Sequence, residues 1–315
     1  MRVMRAFFKT TVLYLLAAIA LTAILHGDWG AAFREGLDVA SAFARITGAA
    51  LVDALPLALP LLLLIRPARS LMRLRNAVVV VVASTFLQAG FLLFKSAIPE
   101  LVPFYADPVL AEVDRHLLFG RDAWEIAHAL TPAALAAWFS LIYLTLWSVV
   151  AYAFPVLVAA SDDDWARARR YVWLFFLSWV VTGNILALAG SSVGPIYYDR
   201  LLATDRFAQM QISLEANGFS QGSIAALQAR LWENSTGVMS FISAFPSVHV
   251  AVAAVVALYV RERARWAWPV GDAFLALILL ISVYSGYHYL VDGIVGVAVV
   301  WALHAALLRR EAGRG

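Results

Sequence analysis

The sequence predicts an all-α, polytopic membrane helix bundle of about eight transmembrane helices, and three observations predict it. Hydrophobic residues make up 63% of the 315 residues and charged residues only 14%, with a mean hydropathy of +0.79; a soluble domain is nearer half apolar and a quarter charged. Apolar runs long enough for the hydrocarbon core, about 20 residues each, recur along the chain. The basic residues gather in alternate connections between those runs, as spans that thread back and forth require.

The spans can be justified in order. A basic start (Arg2, Arg5, Lys9) precedes an apolar run over 10–26. That run is long for a cleaved signal peptide, and no small-residue cleavage site stands before Gly27, so it is expected to remain as the first span. The second run, 47–65, carries Asp53, Pro56 and Pro60. Such residues are tolerated in a span where neighbouring helices or water satisfy the freed groups. Further runs lie at 77–94, 132–160, 171–190, 244–260, 270–287 and 289–308. The expectation is one membrane domain over 1–315: two N-terminal spans in 1–76, then the core spans in 77–308 with larger outer loops at 98–131 and 191–243. A third outer loop is expected at 27–46.

One set of connections holds Arg2, Arg5, Lys9, Arg66, Arg69, Arg73, Arg75, Arg167, Arg169, Arg170, Arg261, Arg263, Arg265, Arg309, Arg310 and Arg314. The other holds eight basic residues spread over much longer loops. The positive-inside rule then puts both termini in the cytoplasm. Alanine-rich, arginine-rich usage with only two lysines suggests a bacterial protein, so an inner-membrane location with the long loops facing the periplasm is expected. The dispersed basic residues form no nucleic-acid arm. The absence of cysteine excludes disulfides, thiolate metal sites and a cysteine nucleophile. No internal repeat is visible, which argues against a transporter built from duplicated halves.

Six histidines occur. His26, His116, His128 and His304 read as packing or interfacial residues. His249 and His288 differ, because the topology places both at the outer ends of late spans. Asp292 follows His288 by four residues and shares its helical face. A carboxylate there can take the Nδ1 proton and leave Nε2 free as nucleophile or base. A metal site is not expected, since paired ligands at close spacing and a third strong ligand are missing.

These segments resemble the type-2 phosphatidic acid phosphatase superfamily, whose pattern is K-x6-R-P, then P-S-G-H, then S-R-x5-H-x3-D. Pro246-Ser247-Val248-His249 matches the second part with valine for glycine, and His288 with Asp292 matches the end of the third. Lys95 stands seven residues before Val102-Pro103, so the first part keeps its lysine and loses its arginine; Ser282 occupies the other arginine position. Loss of both arginines is similar to the branch of inositol phosphorylceramide and sphingomyelin synthases. The stretch Gly190-Ser-Ser-Val-Gly-Pro-Ile-Tyr-Tyr-Asp-Arg200 also resembles that branch; its other reading is a helix stop followed by interfacial tyrosines.

The resemblance implies that His288 attacks phosphorus and Asp292 stabilises the resulting imidazolium. His249 then serves as general acid and base. Lys95, Ser247, Arg200, Tyr197 and Tyr198 are the implied phosphate-binding residues, with Arg115 and Arg121 as further replacements for the missing arginines. Ser247 has a second reading as a helix cap. No cofactor is implied, and the partners are membrane lipids as substrates. The leading expectation is a phosphotransferase that passes a phospho-headgroup to a lipid alcohol such as ceramide or diacylglycerol. A lipid phosphate phosphatase using water is the alternative, and a non-enzymatic lipid transporter a minor one. Around Ile224, Leu227 and Leu231 an amphipathic pattern, with Gln228 and Arg230 between, suggests a surface helix in the outer loop.

Overall fold

The computed structural model describes residues 2–63, 70–233 and 242–313. Every regular element among them is helical: α1 (Arg2–His26), α2 (Trp29–Leu63), α3 (Ser70–Leu101), α4 (Asp107–Leu117), α5 (Ala123–Leu130), α6 (Ala133–Leu141), α7 (Trp147–Ser161), α8 (Trp165–Val180), α9 (Ala187–Ala189), α10 (Pro195–Leu202), α11 (Ala208–Ala216), α12 (Gly222–Glu233), α13 (Val248–Arg263), α14 (Trp268–Tyr284) and α15 (Leu290–Ala312). π-helical turns at Ile142–Leu146 and Val181–Leu186 join α6 to α7 and α8 to α9. Six stretches among the described residues are long and apolar enough to cross a membrane: Ala6–His26, Arg73–Leu101, Ala134–Ser161, Trp165–Ala189, Arg265–Tyr284 and Leu290–Ala312. The remaining two expected spans fall on α2 and on α13. At 16 residues α13 reaches about 24 Å at 1.5 Å per residue. The side chains of Asp53, Pro56 and Pro60, the inner-loop Arg66 and Arg69, and Arg314 lie outside the described residues.

The chain forms two units. The first comprises Met1–Phe94, Ser148–Leu177 and Leu303–Gly315. Its core joins Leu15, Ala18, Ile19 and Ala23 of α1 to Ala32, Val39 and Ala40 of α2 and Ala89, Leu92 and Leu93 of α3. The expected outer loop 27–46 is therefore helix from Trp29 onward. The reason is visible in its buried positions: Ala32, Gly36, Val39, Ala40, Thr47 and Ala50 fall at helical spacing, while Arg34, Asp38 and Arg45 take the exposed face. At the start of α8, Asp164 accepts the Ala166 and Arg167 N–H groups at 3.0 and 3.1 Å. Arg167 in turn donates to both oxygens of Asp162 at 2.8 and 2.6 Å. Arg169 and Arg170 both reach Glu311.

The second unit comprises Lys95–Trp147 and Ser178–Ala302. Here the expected outer loops are largely helical too: α4 and α5 occupy the first, α10, α11 and α12 the second. Small residues set how closely the helices approach. A Cβ on Gly271 of α14 would lie 2.9 Å from the Ala257 Cα of α13, and one on Gly296 of α15 would lie 2.9 Å from the Ser247 carbonyl oxygen. Helix α15 thus runs against the first turn of α13, where one of the candidate histidines sits.

Candidate active site

His249 is fixed from both ends of its own turn. The Ser247 side chain caps α13 by accepting the Val250 N–H at 3.4 Å, while the Ser247 N–H donates to the Asp292 carbonyl at 3.1 Å. Of the two readings of Ser247, the cap is formed; its O–H remains available as a donor. The His249 carbonyl accepts the Trp147 indole N–H at 3.0 Å. The His249 ring lies flat on Tyr143, with centroids 4.3 Å apart, and 4.0 Å from the Trp147 ring. Tyr143 and Trp147 are four residues apart, so one helical face meets the imidazole twice. The π-helical turn at Ile142–Leu146 carries Tyr143 and leads into Trp147, a placement common for π-bulges at functional sites. Neither His249 ring nitrogen is hydrogen-bonded to a described residue.

His288 lies in the turn between α14 and α15 and is buried. Its N–H donates to the Ser282 carbonyl at 3.2 Å. Its ring Nδ1 has two acceptors, the Ala244 carbonyl at 2.8 Å and Asp292 Oδ2 at 3.3 Å. Two acceptors require a proton on Nδ1, so in the neutral ring Nε2 carries the lone pair. No described residue bonds Nε2. Asp292 Oδ2 also accepts the Tyr289 N–H at 3.0 Å. The two imidazole centroids are 6.1 Å apart. The structure thus brings His249, His288 and Asp292 together, with Ser247 bonded to Asp292.

The other candidates separate. Lys95 is half-buried on α3. The Tyr197 hydroxyl donates to the Gln228 carbonyl at 3.0 Å, and its ring stacks on Trp232. Tyr198 packs against Phe207 and under the Arg206 guanidinium. The tyrosines are therefore buried, with Tyr197's donor already engaged. Arg200 and Arg115 are exposed, and Arg121 pairs with Glu125. Arg206, which the sequence reading did not single out, pairs with Glu112 and Asp122 at 2.7 and 3.1 Å, and these partners raise its pKa against the effect of burial. Ser282, at the position where the resemblance has arginine, is wholly buried; its Oγ donates to the Ile278 carbonyl at 2.8 Å and lies 3.3 Å from the Tyr143 hydroxyl. On α12 the expected pattern turns over: Gln228 is buried and Leu227 exposed, because the Gln228 amide donates to the Tyr287 hydroxyl at 3.1 Å. Residues 234–241 lie outside the described residues.

Of the four histidines read as packing residues, His128 is the clearest. Its two ring nitrogens lie 2.7 Å from Ser213 Oγ and 2.8 Å from the Tyr284 carbonyl, tying α5 to α11 and to the end of α14.

The 190–200 stretch is more than a helix stop. Ser191 O accepts the Tyr105 and Ala106 N–H groups at 3.0 and 3.1 Å; Ser192 O accepts Ala244 N–H at 3.0 Å; Ile196 N–H donates to Gly286 O at 2.8 Å. Ser192 Oγ accepts the Phe245 N–H at 3.0 Å. This segment therefore braces both the turn before His249 and the turn before His288. Gly194 has φ +82°, and a Cβ there would lie 2.5 Å from the Tyr287 carbonyl oxygen, so glycine is required on both counts.

Two buried acids of α4 were not anticipated. Asp107 accepts the Val193 and Gly194 N–H groups, each at 2.9 Å, and the Tyr289 hydroxyl at 2.9 Å. Asp114 accepts the Leu290 and Val291 N–H groups at 2.7 and 2.9 Å. Desolvation raises the pKa of both carboxyls, that of Asp114 to about 6, and the backbone bonds oppose the shift. Their signal in the sequence is faint: two aspartates seven apart, in a segment that reads as loop.

Together these features define a helical membrane protein built around a histidine–histidine–aspartate cluster. The chain belongs to the PAP2 superfamily, which matches residues 108–306, and it is an integral membrane enzyme of the lipid phosphatase and phosphotransferase kind. That match covers His249, His288 and Asp292 and begins after Lys95. No curated protein and no solved structure matches the chain.

Proposed function

We propose that this enzyme moves a phospho-headgroup from a phospholipid to a lipid alcohol of the ceramide or diacylglycerol type, through a phosphohistidine on His288. The observation that carries this reading is the His288 ring, whose Nδ1 proton is held by Ala244 and Asp292 while Nε2 is open. In the first step an Nε2–P bond forms as the P–O bond to the departing lipid alcohol breaks. His249 gives that oxygen its proton. The phosphorylated ring then carries positive charge beside the Asp292 carboxylate. In the second step His249 takes the proton of the acceptor hydroxyl, whose oxygen attacks phosphorus and releases Nε2.

Transfer between lipids is favoured over hydrolysis by the charge available to the phosphate. Ser282 and Val102 stand where the resemblance expects arginines, and the Ser282 hydroxyl is turned onto a carbonyl. A phosphodiester carries one negative charge where a monoester dianion carries two, so it asks for less compensation. Lys95, Ser247 and Arg200 remain the candidates for holding that charge. The bias of basic residues supports an orientation with the site at the periplasmic face of an inner membrane.

The test uses purified protein in lipid with four radiolabelled donors: phosphatidate, phosphatidylinositol, phosphatidylcholine and phosphatidylglycerol. Each is run with and without ceramide and diacylglycerol. The expected result is a labelled lipid product that requires the added alcohol and is absent in His288→Ala. Free phosphate from phosphatidate, with no acceptor-dependent product, would overturn transfer in favour of hydrolysis.

A further inference from the structure

His288 and Asp292 are separated by three residues, and an α4 carboxylate holds a donor of each one. The Tyr289 hydroxyl goes to Asp107, and the Leu290 and Val291 N–H groups go to the two oxygens of Asp114. Asp107 and Asp114 are seven residues apart, two turns of one helical face, and both are buried. Leu290 and Val291 are the first residues of α15, so Asp114 caps that helix from another element, satisfying N–H groups that have no partner within it. Asp107 also holds the Val193 and Gly194 N–H groups, and so ties the bracing segment to the same helix.

We propose that Asp114 and Asp107 are positioning residues for catalysis, acting through 289–291 to set the angle at which Asp292 and the His288 ring meet. This inference rests on the reading of His288 as the nucleophile. The His288–Asp292 contact is 3.3 Å, at the long edge of a hydrogen bond, so a small rotation of the first turn of α15 breaks it. The imidazole would then keep only the Ala244 carbonyl and would swing about it. Nε2 would leave its line to phosphorus, while the groups that bind the lipid would stay in place. A displacement of this size slows chemistry without weakening binding.

The experiment uses full-length protein reconstituted in lipid, with the four donors and two acceptors named above. Asp114→Asn keeps one acceptor oxygen and loses the other. It is expected to lower kcat about 10–100-fold, the worth of one hydrogen bond to a charged group, with KM changed by less than roughly twofold. Tyr289→Phe removes one hydroxyl and keeps the ring; it is expected to lower kcat about fivefold, the worth of one hydrogen bond. Acid-stable and acid-labile label on the quenched protein is counted in parallel, because phosphohistidine is acid-labile. Slower formation of the labile label in Asp114→Asn, at unchanged KM, supports positioning. Unchanged kcat, or a loss confined to KM, overturns it. If Asp114→Asn does not purify as a monodisperse protein, Tyr289→Phe decides alone, and unchanged kcat there overturns the proposal. His288→Ala distinguishes the two layers: activity surviving in that variant sinks the nucleophile assignment itself. Activity lost in His288→Ala but intact in Asp114→Asn sinks only the positioning inference.

Discussion

At the scale of single residues, the proposed chemistry depends on which nitrogen of His288 holds a proton. The Ala244 carbonyl at 2.8 Å is the nearer acceptor of Nδ1–H and Asp292 at 3.3 Å the farther one. In the proposed mechanism the carbonyl fixes the tautomer, and the carboxylate supplies the charge that steadies an imidazolium. Asp292→Asn should therefore keep the ring in its tautomer and lose only the electrostatic share. Its kcat should fall about 10–100-fold, the worth of one charge-assisted hydrogen bond, against loss to background in His288→Ala, when both are measured in the transfer assay. Equal loss in the two variants would mean that the carbonyl does not hold the ring. That His288 and Asp292 meet was legible in the sequence because four residues make about one helical turn, and that His249 lies near them was legible from the motif and the span ends on which the three residues fall. Ser247 was legible as a cap for the same local reason. Tyr143 and Trp147 were not, since aromatic residues four apart in an apolar span look like any core face.

At the scale of elements, the sequence signal weakens where a polar helix packs on a loop. The 98–131 segment carries acids and bases that mark it as exposed, yet Asp107 and Asp114 point inward and take backbone N–H groups from α10's entry and α15's first turn. Nothing in a single sequence pairs an aspartate with main-chain donors 86 to 177 residues away. The same holds for 27–46, whose charges masked a helix that packs on α1, and for Gln228, which α12 buries against Tyr287. A pH measurement reads α4 directly. The Asp114 pKa is raised from its ordinary 3.8 to about 6 by burial, so the folded protein binds this proton more tightly than the unfolded chain. Its contribution to stability is full below pH 4 and is lost as the pH rises through 6. Asp292 and Asp122 act in the same direction. The difference in thermal midpoint between wild type and Asp114→Asn, followed from pH 4 to 7 in detergent, should therefore shift against wild type with rising pH. A difference that stays flat would show that Asp114 does not titrate there.

At the scale of the whole molecule, every residue assigned to the chemistry belongs to the second unit, and the family match begins at residue 108. The first unit has its own core and its own close approaches. A Cβ on Gly90 of α3 would lie 2.8 Å from the Tyr14 ring and 3.2 Å from the Leu15 Cα of α1. Gly90→Val should force that contact apart and lower the thermal midpoint by several degrees, the usual effect of overpacking by about 1–3 kcal/mol. The fraction that remains folded should keep wild-type kcat and KM. Altered kinetics in well-folded protein would show that the N-terminal helices take part in turnover. The membrane character of the chain was legible from composition alone, because lipid imposes one rule on all of its spans. Six of the expected spans coincide with helices long and apolar enough to cross a membrane among the described residues.

The acceptor nearest the proposed nucleophile is a main-chain oxygen, and the residue that carries it is already alanine. A scan that replaces each position by alanine passes over 244 without a trace, and no motif drawn from side chains can register it. Only chemistry that edits the backbone, such as an ester in place of the amide that follows Ala244, can weaken that oxygen as an acceptor and show what it contributes.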